Sequence, residues 1–259
     1  MTFRRCWRAV ALAWALTICM VKLAIMRIRS PFTPVRRALW LQWACSGVLS
    51  SLGIRFHVTG TPPSRGLLVS NHLSYLDILI LSAAVPCVFV SKAEIADWPY
   101  FGFAARQSGT FFIDRGRRAS AHAVAQEMAL RLANPVPILV FPEGTSSDGS
   151  QVMRFHSSLF EPAIAAHVPV TAAAVRYEIH GGDIPERELC WFGDEGFLTH
   201  LWRALDTPEF LAEVRFGQPR VYTDRRQAAR ETHSEVAQMR VLMQTHNGPL
   251  APDAEAAIR

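Results

Sequence analysis

Six short runs rich in β-branched and aromatic residues lie between residues 55 and 175: Arg55–Thr59, Gly66–Ser70, Cys87–Ser91, Gly109–Ile113, Val136–Phe141 and Val168–Val175. Between several of them the hydrophobic period changes from 2 to 3.6, at about Ser74–Ala84, Ala119–Ala133 and Ser158–His167. Apolar strands separated by helices predict a layered α/β body, with a mostly parallel central sheet flanked by helices. Such a sheet also restricts where chemistry gathers, because ligands collect in the loops at the carboxyl ends of the strands. Three polar clusters sit at such ends: Asn71–Asp77, Asp114–Arg118 and Glu143–Ser147. Further on, Arg225–His246 reads as a polar helix whose Val236, Met239 and Met243 form one stripe, docked on the surface of the body.

The chain ahead of this pattern is of a different kind. Residues 1–76 carry ten basic side chains (Arg4, Arg5, Arg8, Lys22, Arg27, Arg29, Arg36, Arg37, Arg55 and Arg65) and no acidic one. The net charge of +5 is therefore a basic end joined to a body with 17 basic and 22 acidic residues. Two uncharged runs, Ala9–Val21 and Ala38–Ile54, are separated by Pro31, Pro34 and flanking arginines. The first has 13 residues, short of the roughly 20 that span a bilayer as a helix. Cations follow it without a small-residue cleavage site, which argues against a removed signal peptide. Residues 1–54 are expected to form a helical hairpin that lies in one membrane leaflet, with arginine stems and Trp rings at the interface, and residues 55–259 to form the α/β domain. The same runs also fit two amphipathic helices packed on the body, and a first helix that spans the bilayer stays open. Nucleic acid is not the expected partner, since cations interleaved with long apolar runs make a poor phosphate-tracking groove. The five cysteines (Cys6, Cys19, Cys45, Cys87, Cys190) are odd in number and lack a C-x-x-C pair, so they signal neither a disulfide framework nor a zinc site.

The first cluster reads Asn71-His72-Leu73-Ser74-Tyr75-Leu76-Asp77. Regular helix geometry pairs i with i+3 or i+4, not i+5. His72 and Asp77 can meet if His72 sits in the turn and Asp77 in the first helical turn, reaching back. Asp77 would then fix the imidazole tautomer and leave the other nitrogen as a general base. Ser74 and Asp77 also fit a capping pair at a helix start, and the two readings are compatible. In the second cluster, Arg115 follows a strand and offers a bidentate fork to phosphate, or simply a solvated charge. The third, Phe141-Pro142-Glu143-Gly144-Thr145-Ser146-Ser147, is by itself a turn with hydroxyl donors. No G-x-S-x-G elbow accompanies these serines, which disfavours a serine hydrolase.

Together the N-H-x-S-x-x-D, F-I-D-R and F-P-E-G-T blocks resemble the glycerolipid acyltransferases of the 1-acylglycerol-3-phosphate acyltransferase type, over about residues 55–180. Val90–Glu94, with Trp98-Pro99 and Gly102, resembles that family's segment between the first two blocks. The resemblance implies a membrane enzyme of phospholipid biosynthesis, at the cytoplasmic face of a bacterial inner membrane. It would move an acyl chain from acyl-CoA or acyl carrier protein to the hydroxyl of a lysolipid, with 1-acylglycerol-3-phosphate the first acceptor and no metal or bound cofactor. It makes His72 the general base and Asp77 its orienting partner, gives Arg115 and Lys92 to the acceptor's phosphate, and places the acceptor with Glu143, Gly144 and Thr145. Two departures stand out. Ser146 occupies a position where the family usually carries Arg, and Ala172 stands where a second Pro is usual. Trp191-Phe192-Gly193-Asp194, followed by Leu201-Trp202, resembles a bacterial subgroup that includes acylation of lyso-ornithine lipid, although an aromatic lid or core corner has the same composition. The reading from a different class is a catalytically idle membrane lipid-binding protein. It is disfavoured by the presence of His72, Asp77, Arg115 and Glu143 together.

Overall fold

The computed structural model describes residues 3–29, 31–113, 118–179 and 184–245. Two helices open the chain, α1 (Phe3–Arg29) and α2 (Pro34–Leu52). There follow β1 (Ile54–Thr59), β2 (Leu67–Ser70), α3 (Tyr75–Ala84), β3 (Val88–Lys92), α4 (Phe101–Ser108), β4 (Phe111–Ile113), α5 (Arg118–Arg131) and β5 (Ile138–Val140). The second half holds α6 (Glu161–Ala165), β6 (Val170–Ile179), α7 (Phe197–Ala204), β7 (Phe210–Phe216) and α8 (Arg225–Thr245). The seven strands form one sheet in the order β1-β7-β6-β2-β5-β3-β4.

From β6 to β4 every neighbouring pair is parallel. β7 runs antiparallel to β6 and β1 runs parallel to β7, so these two strands point the other way. The expected mostly parallel sheet is thus present, with a reversed pair at one side. β7 lies outside the six runs read from the sequence, yet its seven residues alternate, with Phe210, Ala212, Val214 and Phe216 buried. That is the period-2 signal of a strand, carried by mixed residue types that include Glu213 and Arg215.

Side-chain alternation divides the core between the two faces of the sheet. On β6, Ala173, Val175, Tyr177 and Ile179 join one apolar cluster with residues of α1, α2, α3 and α4. Val170, Ala172 and Ala174 join the other, with residues of α6 and α8. α8 docks through Val236, Met239 and Met243 as the stripe predicts. It also buries Arg240, at 5% exposure, which the sequence reading does not single out.

The N-terminal helices depart from the run lengths. α1 continues for 27 residues through Lys22 and Arg27. Lys22 is accommodated because its Nζ lies 3.5 Å from the centroid of the Trp43 ring on α2. By length and composition α1 alone among the described helices is long and apolar enough to cross a membrane. α2 is stopped sharply: Thr33 caps its start, Pro34 opens it, and Gly53 at φ +71° closes it with its N–H on Leu49 and Ser50 carbonyls. Its buried Ala38, Leu41, Cys45, Val48 and Leu52 recur at helical spacing. α2 packs against α3, and the boundary expected after residue 54 falls inside β1, one residue past its start, with Leu52 and Ile54 in one core cluster.

Candidate active site

The parallel direction of β6, β2, β5, β3 and β4 brings their carboxyl ends to one edge. β2 and β5 are neighbours there, which places the loop after Ser70 against the loop after Val140. Where β2 leaves the sheet, the Asn71 side chain extends the pairing. Its Nδ2 donates to the Val175 carbonyl at 3.0 Å and its Oδ1 accepts the Val175 N–H at 2.8 Å. Asn71 is buried, so these two bonds replace a ladder that the backbone no longer supplies.

α3 begins immediately afterwards and holds Asp77 in its first turn. Asp77 Oδ2 accepts from the Ser74 N–H at 2.9 Å and the Leu73 N–H at 2.6 Å, and it lies 2.9 Å from His72 Nδ1. The five-residue separation is therefore bridged by a turn followed by a reach back, and the same carboxylate oxygen serves both the helix start and the imidazole. Asp77 is fully buried, whereas the His72 side chain keeps 18% exposure. An ionised carboxylate can only accept, so Nδ1 carries hydrogen and Nε2 is the basic nitrogen of the neutral ring. The imidazole stacks on Phe141, at the end of β5, with centroids 4.1 Å apart and planes 18° from parallel.

Glu143 meets backbone through both carboxylate oxygens. Its Oε1 accepts the His72 N–H at 2.9 Å and its Oε2 accepts the Met153 N–H at 3.2 Å. It is buried, and burial pushes its carboxyl up to about 7. Asp77 adds to the rise, while the two backbone N–H bonds and Arg240 oppose it. Both oxygens are thus engaged with backbone, beneath the loop that carries His72. Ser147 N–H donates to the His72 carbonyl at 2.9 Å, and the Ser147 hydroxyl reaches the same oxygen at 3.3 Å. The Ser146 hydroxyl donates to the Trp191 carbonyl.

The remaining motif residues are placed less closely. Gly144 adopts φ +76° in the turn, which favours glycine, and Thr145 is exposed beside it. Lys92 ends β3 and is exposed. β5 separates β3 from β2, so Lys92 stands about 10 Å along the sheet edge from the His72 loop. Asp114 and Arg115 lie outside the described residues. Trp191 is half-buried beside the site, with its backbone N–H on the Leu73 carbonyl at 2.9 Å and its ring edge-on to Tyr75 and Phe197. No group of three or more His, Cys, Asp or Glu side chains is arranged to hold a metal among the described residues.

Three residues absent from the motifs belong to this region. The Tyr177 hydroxyl donates to Asp77 Oδ1. Arg240 donates to Glu186 through two bonds of 2.8 Å, and to the carbonyls of Val175 and Gly149 at the same distance. Glu186 in turn accepts the Tyr177 N–H at 2.8 Å. The available signal was slight, since Tyr177 stands between Arg176 and Glu178 after the small, apolar run that opens β6.

Comparison with known proteins shows the family and the fold. The family described as Acyltransferase matches residues 54–176. A lyso-ornithine lipid O-acyltransferase from Rhodobacter capsulatus is 38% identical over 198 residues, covering 73% of this chain and 68% of that protein. The chain belongs to the lysolipid acyltransferase family. A 1-acyl-sn-glycerol-3-phosphate acyltransferase from Neisseria meningitidis is 34% identical over 174 residues, covering 66% of this acyltransferase and 67% of its relative. The aligned region is thus about two thirds of the length of each relative. The fold matches the crystal structure of the 1-acyl-sn-glycerophosphate (LPA) acyltransferase PlsC from Thermotoga maritima, with a TM-score of 0.70 and 18% identity over 95% of this chain and 100% of that one.

Proposed function

We propose that this acyltransferase moves a fatty acyl group from the thioester of acyl-CoA or acyl carrier protein to a lysolipid hydroxyl, with His72 as general base. The observation that carries the reading is the His72–Asp77 pair, a partly exposed imidazole held at 2.9 Å by a fully buried carboxylate. Nε2 removes the hydroxyl proton as the oxygen attacks the thioester carbonyl. The tetrahedral adduct then expels the sulfur, which takes the same proton from Nε2, so the base is restored. Asp77 stays ionised and stabilises the imidazolium between the two transfers. Glu143 acts from beneath the loop, fixing the His72 backbone. A thioester is already activated, so the chain's own residues need supply only the base and the positioning.

For the acceptor, lyso-ornithine lipid takes first place over 1-acylglycerol-3-phosphate. Where the third block would carry a cation for a phosphate, Ser146 instead gives its hydroxyl to the Trp191 carbonyl. Relatives of both names are known, and the Rhodobacter protein named for lyso-ornithine lipid covers more of this chain than the Neisseria protein. A panel of lysolipids with labelled acyl-CoA tests the assignment. Preferential turnover of 1-acylglycerol-3-phosphate would reverse it, and acylation of neither acceptor would remove the lysolipid reading.

The site edge faces a lipid surface in this proposal. On α1, Trp7, Val10, Trp14, Ile18, Val21, Ile25 and Ile28 are exposed at spacings of three or four. Such a stripe fits immersion in the acyl region of a leaflet. Arg4 and Arg5 bond to Asp206, shortly before β7. β7 begins with Phe210, opposite Ile179 at the carboxyl end of β6, so this end of α1 shares the edge that bears His72.

A further inference from the structure

The two oxygens of Asp77 are used unequally. Oδ2 takes His72 Nδ1 and two backbone N–H groups, whereas Oδ1 takes the hydroxyl of Tyr177, one hundred positions away on β6. Donors that converge on one oxygen fix that oxygen but leave the carboxylate free to turn about it, and the terminal torsion of Asp is broad. A second contact on the other oxygen sets the plane. We propose that Tyr177 is a positioning residue for acyl transfer, its hydroxyl setting the plane of the Asp77 carboxylate so that Oδ2 stays in line with His72 Nδ1.

The surroundings hold Tyr177 to that task. It is 1% exposed, with its ring 5.6 Å from that of Phe210. Its N–H is taken by Glu186 at 2.8 Å, and Arg240 locks Glu186 in place while donating to Val175 two residues earlier on β6. α8 therefore fixes the strand that fixes the carboxylate. Burial and the charge of Asp77 keep the phenol protonated well above its ordinary range, so it donates at every working pH. No sequence block includes it, because its partner is reached only through the sheet.

The inference rests on His72 being the base, and four variants of the whole chain separate the two claims. Tyr177→Phe should lower kcat by about ten- to a hundredfold with the KM of both substrates unchanged, the size of effect expected from a small misplacement of a catalytic group. In an Asp77→Asn background the same change should cost nothing further, because Tyr177 acts only through that carboxylate. A residue needed merely for packing would lower activity by the same factor in both backgrounds. Rates are divided by the folded fraction from a thermal melt, so a loss of folded yield does not alter the comparison. Turnover within twofold of wild type, a raised KM at constant kcat, or multiplying effects would each overturn the role of Tyr177. His72→Ala is measured alongside. Near wild-type turnover in that variant removes the base itself, whereas an inactive His72→Ala with an unaffected Tyr177→Phe removes only the inference.

Discussion

Glu143→Gln is the perturbation that most directly tests how the His72 loop is held. The carboxyl is buried and its midpoint is raised from 4.5 to about 7, with burial as the main cause. A carboxyl raised in the folded state binds protons more tightly there than in the unfolded chain, so the fold loses stability as pH rises between about 4.5 and 7. Near 1.4 kcal/mol per unit, this amounts to roughly 3 kcal/mol at full ionisation. Gln cannot titrate and loses none of it. The amide also supplies only one acceptor, which leaves either the His72 or the Met153 N–H without its partner, at about 1–3 kcal/mol independent of pH. The difference in melting temperature, variant minus wild type, should therefore start negative near pH 4.5 and rise by about 6 °C towards pH 8, since 1 kcal/mol is worth about 2 °C in a chain of this size. Melting both proteins in the same detergent across that range measures the trend. A difference that stays flat with pH would refute the buried, raised carboxyl, and a falling one would reverse the sign of the argument. Turnover of the variant at pH 8 should drop even where its stability is recovered, because the His72 backbone has lost a latch.

Four further outcomes follow from the same geometry. His72→Ala should lower acyl transfer to labelled lysolipid by about 10²–10⁴ while leaving the melting temperature nearly unchanged. Arg240→Ala strands the Glu186 carboxylate and should destabilise the chain by about 3–5 kcal/mol, read as a fall in melting temperature. Removing residues 1–54 deletes buried Trp40 and Leu49 along with α1, so the product should aggregate. By contrast Trp7→Asp with Trp14→Asp on the exposed stripe should leave the fold intact and weaken flotation with anionic vesicles.

The alternation of strand and helix between residues 55 and 175 determined the layered fold, because period and turn chemistry are local properties. Three chemically dense blocks after β-rich runs likewise marked the edge where chemistry belongs, since a parallel sheet aligns its strand ends. The i, i+5 spacing of His72 and Asp77 limited how they could meet, and the turn-and-reach-back geometry is the one observed. What stayed hidden depends on contacts between distant segments. β7 sits between β6 and β1, where it reverses the sheet's direction, and no local pattern specifies that neighbour. Glu143 carries the expected motif, yet its carboxylate turns to backbone amides because those N–H groups need a partner once buried. Lys22 interrupts an apolar run without ending α1, because a Trp ring on another helix receives its charge. The chain's own order named the base and its carboxylate. Only the folded sheet, by bringing β6 against that carboxylate and α8 against β6, supplied Tyr177 and Arg240, since hydrogen bonds between segments 54 to 100 residues apart leave no periodicity to read.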